Sequence, residues 1–237
     1  MIPARILLLT PAEDASELVQ ILHAAKHNID ILPIHDKAQL LATSIKPHDR
    51  LISLFSPVIV PSAILAALTG PAYNIHPGPP EYPGLFPAVH AVMAGATSFG
   101  ATAHEMTAKV DAGTIIGFNK VDIDAGIDRL NLEAASRILA LKLLESMAES
   151  LLGDDQALPP LDLSWGSKVY SKADFDNLCT LPADIDATAF ALRLRAVGEG
   201  PFHRLTVSLH GRTFSLDPLG DNGTSFKGGR PVGNDHN

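Results

Sequence analysis

Short apolar runs alternate with amphipathic stretches through residues 5–152, and this alternation limits the fold more than any other sequence feature. The apolar runs predict strands at Arg5–Leu9, Asn28–Pro33, Arg50–Phe55, Ala72–Ile75, Phe99–Met106 and Thr114–Val121. The amphipathic stretches predict helices at Ala12–Asn28, Ser62–Leu68, Pro87–Ala94 and Ile127–Leu152. Pro33 is expected to cut the second strand short. Such alternation indicates an α/β fold with a doubly wound, mostly parallel, Rossmann-like sheet.

The pattern changes at the linker-like sequence Ala157-Leu158-Pro159-Pro160. Beyond it, the sequence predicts a helix near Ala187–Val197 and a β-hairpin formed by Val207–Leu209 and Thr213–Leu216. We therefore expect a main domain over residues 1–155 and a small C-terminal α+β unit over residues 156–219. Residues 220–237 are rich in Gly, Asn and Asp and are predicted to be a disordered tail.

The charge balance limits the class of partner. The formal net charge is -8, and no run of lysine or arginine stands out. A protein that binds a nucleic-acid backbone normally presents a basic stripe. The acidic balance therefore argues against nucleic acid as the main partner.

Cysteine usage and the N-terminus indicate the compartment. Cys179 is the only cysteine, so the chain cannot form a disulfide framework or a multi-cysteine metal site. No neighbouring residue would activate its thiol as a nucleophile. The apolar run Arg5–Leu9 is too short for a signal sequence or a membrane span. We therefore expect a cytoplasmic protein with no membrane partner.

The residues suited to chemistry lie in three separated segments. Asn74 and His76 end the fourth predicted strand, where residues two apart share one side. An amide donor beside an imidazole can stabilise an oxyanion and accept a proton at neutral pH. Asp111 follows in a loop, and a carboxylate there could orient the imidazole or hold a water that carries a proton. This combination suits attack of an amine on a carbonyl. An ordinary turn is the alternative interpretation of Asp111.

These segments resemble the folate-dependent formyltransferase family, which includes glycinamide ribonucleotide transformylase, methionyl-tRNA formyltransferase and sugar N-formyltransferases. The family carries Asn-x-His-Pro, a later glycine, Gly-x-Thr-x-His, and Asp-x-Gly-x-Ile-Ile in this order. The matching positions here are Asn74, His76, Pro77, Gly84, Gly100, Thr102, His104, Asp111, Gly113, Ile115 and Ile116. The resemblance is dense from Leu51 to Leu152 and weaker outside that range.

The resemblance implies a formyltransferase fold and 10-formyltetrahydrofolate as the formyl donor. Asn74 and His76 would stabilise the tetrahedral intermediate, while Asp111 would assist proton movement and raise the basicity of His76. The folate pterin would contact Val58, Ile59, Val60, Pro61, Met106, Val110 and Gly113, largely through backbone groups. His104 is expected to tie the active-site loop. No histidine pair has helical ligand spacing with a third ligand nearby, so no metal site is expected.

Departures from the family pattern bear on the amine acceptor. The loop after His76 carries Pro79-Pro80, which stiffens it and removes backbone donors. The first strand is followed by Thr10-Pro11-Ala12-Glu13-Asp14, with no glycine and two acids, which would repel a phosphate. This argues against the purine-pathway enzyme. The segment after residue 156 is too short for a whole tRNA-binding barrel domain.

The segments Tyr170–Phe175, Leu192–Ala196 and Pro201-Phe202 resemble the short tail of sugar N-formyltransferases, in which a hairpin often supports dimerisation. The favoured acceptor is therefore a small molecule, a nucleotide-linked amino sugar, and a homodimer is considered. The alternatives are a methionyl-tRNA formyltransferase-like enzyme, a formyltetrahydrofolate deformylase and an inactive folate-binding module. Deformylases of this type usually carry an N-terminal regulatory domain, whereas this sequence starts at the first strand.

Overall fold

The computed structural model describes residues 3–198 and 203–216. The strands are β1 (Arg5–Leu9), β2 (Asp30–Ile34), β3 (Asp49–Leu54), β4 (Tyr73–His76), β5 (Ser98–Glu105), β6 (Ile115–Asp122), β7 (Thr180–Leu181), β8 (Thr206–Leu209) and β9 (Arg212–Ser215). The helices are α1 (Ala12–Ala25), α2 (Lys37–Ala42), α3 (Ser62–Ala67), α4 (Pro87–Ala94), α5 (Arg129–Leu151), α6 (Lys172–Cys179) and α7 (Ala187–Val197). The predicted tail over residues 220–237 lies outside the described residues.

The main sheet has the order β2-β1-β3-β4-β5-β6. Strands β1 to β4 run parallel to one another, and β5 runs antiparallel to both of its neighbours, β4 and β6. The expectation of a mostly parallel α/β sheet is confirmed. The order in which the chain adds strands to the sheet reverses between β1 and β3, because β2 lies on one side of β1 and β3 lies on the other. In open α/β sheets, ligands bind outside the carboxyl ends of the strands at such a point.

Both faces of the main sheet are covered. One buried cluster joins the sheet to Leu18 and Leu22 of α1 and to Leu143 and Leu144 of α5. A second cluster, which includes Leu40 of α2, packs against the opposite face of the sheet. Burial of these leucines is worth about 2 kcal/mol for each side chain, so the clusters hold the helices on the sheet.

A third buried cluster joins the C-terminal segment to the rest of the chain. Phe175 of α6 and Val197 of α7 pack with Val89 of α4 and Phe99 of β5. The small sheet β7-β8-β9 follows the same segment. Residues after 156 therefore share a core with the residues before them, and the division predicted at residues 155/156 stays a prediction.

Several local features differ from the sequence-based expectations, which included neither helix α2 nor the short strand β7. Strand β2 continues through Pro33 to Ile34, with Pro33 in register with Leu8. This is tolerated because β2 is an edge strand, where one side of the backbone needs no partner strand. Helix α6 was missed, although Ser171 and Asp174 form a capping box at its start.

Candidate active site

Strand β4 brings Asn74 and His76 to the carboxyl edge of the main sheet. His76 is buried, whereas Asn74 is half-buried. Asn74 lies opposite His104 of the antiparallel strand β5, and Asn74 Nδ2 lies 3.1 Å from His104 Nε2. The β5 register shifts between Ala103 and His104. The sheet therefore adds a second histidine to the predicted pair.

Asp111 enters the same cluster from the loop between β5 and β6. Its backbone takes the left-handed φ of 41°, which a short polar residue tolerates better than most. Asp111 Oδ2 lies 3.4 Å from His76 Nδ1, and Asp111 Oδ1 lies 3.3 Å from His104 Nε2. The Gly84 backbone N–H donates to Asp111 Oδ2 over 2.7 Å. The structure thus brings Asn74, His76 and Asp111 together, with His104 between Asn74 and Asp111.

Asp111 is ionised at neutral pH. Burial alone would raise the pKa of its carboxyl group, but interaction with protonated His76 and His104 and the hydrogen bond from the Gly84 N–H outweigh burial. Together they lower the pKa of Asp111 to about 2. The site therefore holds a fixed negative charge between two imidazoles.

His76 has a pKa below its ordinary value. Burial is the largest cause and lowers the pKa; the Asp111 charge raises it, and His104 lowers it further. The resemblance implied that Asp111 raises the basicity of His76. The charge of Asp111 does act in that direction, but the loss of solvent around the buried ring outweighs it.

The neighbours of each ring nitrogen indicate where the protons lie. His76 Nε2 lies 3.2 Å from the Tyr82 backbone oxygen, which can only accept, so the neutral ring carries its proton on Nε2. A proton that His76 gains is then received at Nδ1, on the side of Asp111. His104 Nδ1 lies 2.8 Å from the Glu105 backbone oxygen, which places a proton on that nitrogen in the same way.

Sequence reasoning missed Trp165, a half-buried side chain from the C-terminal segment. Its ring meets His104 edge-on with 5.0 Å between ring centroids and His76 with 6.0 Å. The Trp165 indole N–H donates to the Gly113 backbone oxygen over 2.8 Å. A single tryptophan in a linker-like stretch has no spacing pattern that would assign it to the site.

The residues predicted to contact folate lie on segments beside the cluster of His76, His104 and Asp111. Val58, Val60 and Met106 pack against one common buried cluster. Ile59 and Val110 leave 66% and 41% of their surface exposed, so these apolar side chains are accessible to a ligand. A folate contact for any of these residues stays a prediction.

The two remaining residues predicted to contact folate, Pro61 and Gly113, each have a structural role. Pro61 is the N-cap of α3. A Cβ at Gly113 would lie 1.9 Å from the Glu105 oxygen, so only glycine allows the backbone to pass there. Gly113 therefore has a structural requirement that is independent of any folate contact.

A cavity of about 360 Å³ lies where the sheet reverses direction. Its lining residues are Pro11, Asp14, Phe55, Pro77, Phe86, Pro87, Ala88, Glu133, Ser136 and Arg137. Arg137 donates to Asp14 over 2.6 Å and to Glu17 over 2.7 Å, and its guanidinium lies 4.8 Å from the centre of the Phe55 ring. Asp14 was expected to repel a phosphate, and in the structure Arg137 compensates its charge.

Within residues 3–198 and 203–216, no group of three or more His, Cys, Asp or Glu side chains is arranged to hold a metal ion. Over the same residues, no helix combines the length and apolar character needed to cross a membrane.

Comparison with known families decides the identity of this part of the chain. Residues 41–146 match the family described as formyl transferase. These residues contain Asn74, His76, His104 and Asp111. Residues 41–146 form a formyl transferase domain. The resemblance to folate-dependent formyltransferases is confirmed, as is the prediction of a formyl-transferring enzyme.

Solved structures with the same fold extend over most of the chain around this formyl transferase domain. A sugar N-formyltransferase from a Shewanella species is 21% identical, with 90% of this chain and 96% of that chain covered and a TM-score of 0.71. A 4-N formyltransferase from Francisella tularensis is 18% identical, with the same coverage and a TM-score of 0.73.

The N-formyltransferase from Helicobacter canadensis, solved with folinic acid and dTDP-3-aminofucose, is 14% identical and has a TM-score of 0.64. Here 90% of this chain and 86% of that chain are covered. At these identities, the likeness shows that the formyl transferase domain and the segment after it share the fold of these enzymes.

Proposed function

We propose that the enzyme transfers the formyl group of 10-formyltetrahydrofolate to the amine of a small acceptor, a nucleotide-linked amino sugar. The observation that carries the proposal is the buried cluster of His76, His104 and Asp111 beside Asn74. Pro77, the residue after His76, lines the cavity. The folate and amino-sugar ligands of the Helicobacter canadensis enzyme support this choice of donor and acceptor.

Asn74 is the group suited to stabilise the oxyanion. The amine lone pair attacks the formyl carbon, and the carbonyl electrons move onto oxygen. Asn74 has two N–H donors, and the one not directed at His104 is free for this oxygen. When the intermediate collapses, the bond from the formyl carbon to N10 breaks, and N10 leaves as the amine of tetrahydrofolate.

His76 and Asp111 are suited to move the proton that the attacking nitrogen loses. His76 is neutral at physiological pH because burial lowers its pKa, so it can accept a proton directly or through water. The proton arrives at Nδ1, where ionised Asp111 stabilises the imidazolium. It then passes to N10, so that the overall reaction neither consumes nor releases a proton beyond the ionisation of the amine.

The cavity has the charges that an amino sugar requires. Asp14 and Glu133 place two carboxyl groups on its wall, paired with Arg137 and Arg129, and an ammonium group would share these carboxyl groups with the arginines. Burial raises the pKa of Glu133, and the Arg129 guanidinium, 2.7 Å away, acts against this effect. The faces of Phe55 and Phe86 offer apolar surface for a sugar or a base. Arg137 already binds Asp14 and Glu17, so a phosphate group would share its guanidinium with these two carboxylates.

The proposal is tested by following the release of tetrahydrofolate from 10-formyltetrahydrofolate, with and without a panel of nucleotide-linked amino sugars and simple amines. Release that depends on one amino-sugar nucleotide, with the formamide product detected by mass spectrometry, is the expected result. Release without any amine would contradict transfer and indicate hydrolysis to formate. Folate binding without release under any condition would indicate a binding protein.

A further inference from the structure

Trp165 contacts both histidines of the catalytic cluster from the C-terminal segment. Its ring lies at 88° to the His104 ring and at 72° to the His76 ring, so it meets both in an edge arrangement. Aromatic rings in this arrangement attract one another beyond the effect of burying their surface. The indole therefore forms an apolar wall on one side of the two imidazoles.

The indole N–H of Trp165 also holds the loop that carries Asp111. It donates to the oxygen of Gly113, two residues beyond Asp111, over 2.8 Å. Gly113 is itself confined, because a Cβ there would collide with the Glu105 oxygen. The hydrogen bond thus fixes the peptide that follows Asp111 against β5.

The backbone around Trp165 is anchored on both sides. Leu161 N–H donates to the Ile115 oxygen, and Gly166 N–H donates to the Pro80 oxygen, both over 2.8 Å. A Cβ at Gly166 would lie 2.7 Å from the Glu81 oxygen. The backbone next to Trp165 therefore approaches the loop after His76 closely. The position of Trp165 is therefore fixed by β6 and by the loop after His76.

We propose that Trp165 is a positioning residue of the formyl-transfer reaction, which closes one side of the His76–His104 pair against water and holds the Asp111 loop through Gly113. This inference rests on the proposed function. His76 faces a polar group on each of three elements. These groups are Tyr82 O in the loop after β4, Asp111 in the β5–β6 connection and His104 in β5. Trp165 adds the apolar side of that surround.

Removal of the Trp165 ring should change the acid limb of the pH profile of kcat. Water that reaches His76 weakens the burial that keeps its pKa low, so the pKa of His76 rises. If neutral His76 accepts the proton, the acid limb of the kcat profile moves to higher pH. A residue that only supports folding would lower the amount of active enzyme and leave this limb in place.

The kinetic test compares Trp165→Ala with Trp165→Phe and with the control Leu163→Ala, an exposed residue of the same segment. Trp165→Phe keeps the ring and loses the N–H, so we expect kcat to fall about fivefold. Trp165→Ala loses both, so we expect at least about a tenfold fall in kcat and an acid limb at higher pH. Leu163→Ala should match the wild type. An unchanged acid limb in Trp165→Ala would overturn the proposal, whatever happens to kcat.

Fluorescence gives a second test that does not depend on turnover. Trp165 is the only tryptophan, so the emission of the whole protein reports this site. A protonated imidazole quenches a neighbouring indole, so the emission of the wild type should fall on acidification, and His76→Gln should reduce the step. Emission that does not change with pH while the protein stays folded would overturn the placement. A pH step in a chain that transfers no formyl group would support the placement and contradict the proposed function alone.

Discussion

At the residue scale, the site depends on two histidines, each of which has one ring nitrogen beside a backbone carbonyl. Tyr82 O fixes the proton of His76 on Nε2, and Glu105 O fixes that of His104 on Nδ1. The remaining nitrogen of each ring faces Asp111. The carboxylate is thus placed to stabilise whichever ring becomes protonated during a reaction.

Replacement of Asn74 by alanine removes the proposed oxyanion donor. We expect kcat to fall on the order of a hundredfold to a thousandfold, because one preorganised donor contributes about 3–4 kcal/mol to lowering the barrier. The matched control is Asn28→Ala, which changes an exposed asparagine between α1 and β2. Turnover and folate affinity should be measured separately for both variants. Near-normal turnover in Asn74→Ala would refute the role.

At the element scale, the loop after β4 connects this strand to the C-terminal segment. The prolines of this loop have no N–H to donate, but their carbonyl groups accept hydrogen bonds. Gly166 N–H donates to Pro80 O, and Tyr170 N–H donates to Pro83 O. The loss of donors expected from the proline pair is therefore accompanied by docking of the C-terminal segment onto the loop. The same loop presents the Gly84 N–H to Asp111.

Gly84→Ala tests this connection. Gly84 has a φ of 98°, and a Cβ there would lie 2.2 Å from the Tyr170 oxygen. We expect the substitution to displace the loop, to remove the hydrogen bond to Asp111 and to lower kcat by at least about tenfold. The free energy of unfolding should fall by about 1–3 kcal/mol.

The control for Gly84→Ala is Gly95→Ala, at which φ is also positive but no atom lies within 4 Å of the added Cβ. Gly95→Ala measures only the cost of placing alanine at a positive φ, about 1 kcal/mol, without a collision of the added Cβ. Kinetics and urea unfolding of the two variants provide the comparison. Equal effects on kcat would mean that the contact with Tyr170 does not matter for the site.

At the scale of the whole molecule, the third buried cluster links the formyl transferase domain to the segment after residue 156. The rings of Phe86 and Phe175 stack with 4.1 Å between their centroids. Phe86 precedes α4 with a left-handed φ of 57° and also lines the cavity. We therefore expect the two parts to unfold together.

Phe175→Ala should lower the free energy of unfolding by about 3–5 kcal/mol, because it empties a fully buried aromatic site. The control is Phe214→Ala in β9, where the ring is 38% exposed and the loss should be within about 0.5 kcal/mol. Circular dichroism and Trp165 fluorescence should report one coincident transition in the wild type. Two separate transitions would instead indicate independent domains.

The stability of the whole molecule should fall in mild acid. Burial lowers the pKa of His90 and of His203 to about 4, and it also lowers that of His76. As the pH falls below about 6.5, the unfolded chain binds protons that the folded chain does not, so the free energy of unfolding decreases until about pH 4. For His90 and His203, the decrease amounts to up to about 2 kcal/mol each by pH 5.

His90→Phe isolates one of these contributions. Its ring stacks on Tyr170 with 3.8 Å between centroids, so phenylalanine keeps the stacking and removes the titration. We expect the decrease in unfolding free energy between pH 7.5 and pH 5 to shrink by about 2 kcal/mol. Exposed His27→Gln is the control. Urea unfolding at several pH values measures both, and an unchanged slope for His90→Phe would refute the assignment.

The sequence by itself determined the α/β alternation, the motif residues and the family, because strand and helix periodicities and short motifs are local properties. It predicted the bounds of α4 and α7 as the structure has them. Asn74, His76 and Asp111 were found in the same way. The capping box of α6 was present in the sequence but overlooked.

Only the tertiary structure decided which side chains meet at the site. The antiparallel pairing of β4 with β5 sets His104 opposite Asn74, and the return of the C-terminal segment sets Trp165 against both histidines. It also decided the pKa of His76, because burial is a property of the packed chain and outweighs the charge of Asp111. These contacts join residues far apart in sequence, and no local pattern encodes their distances.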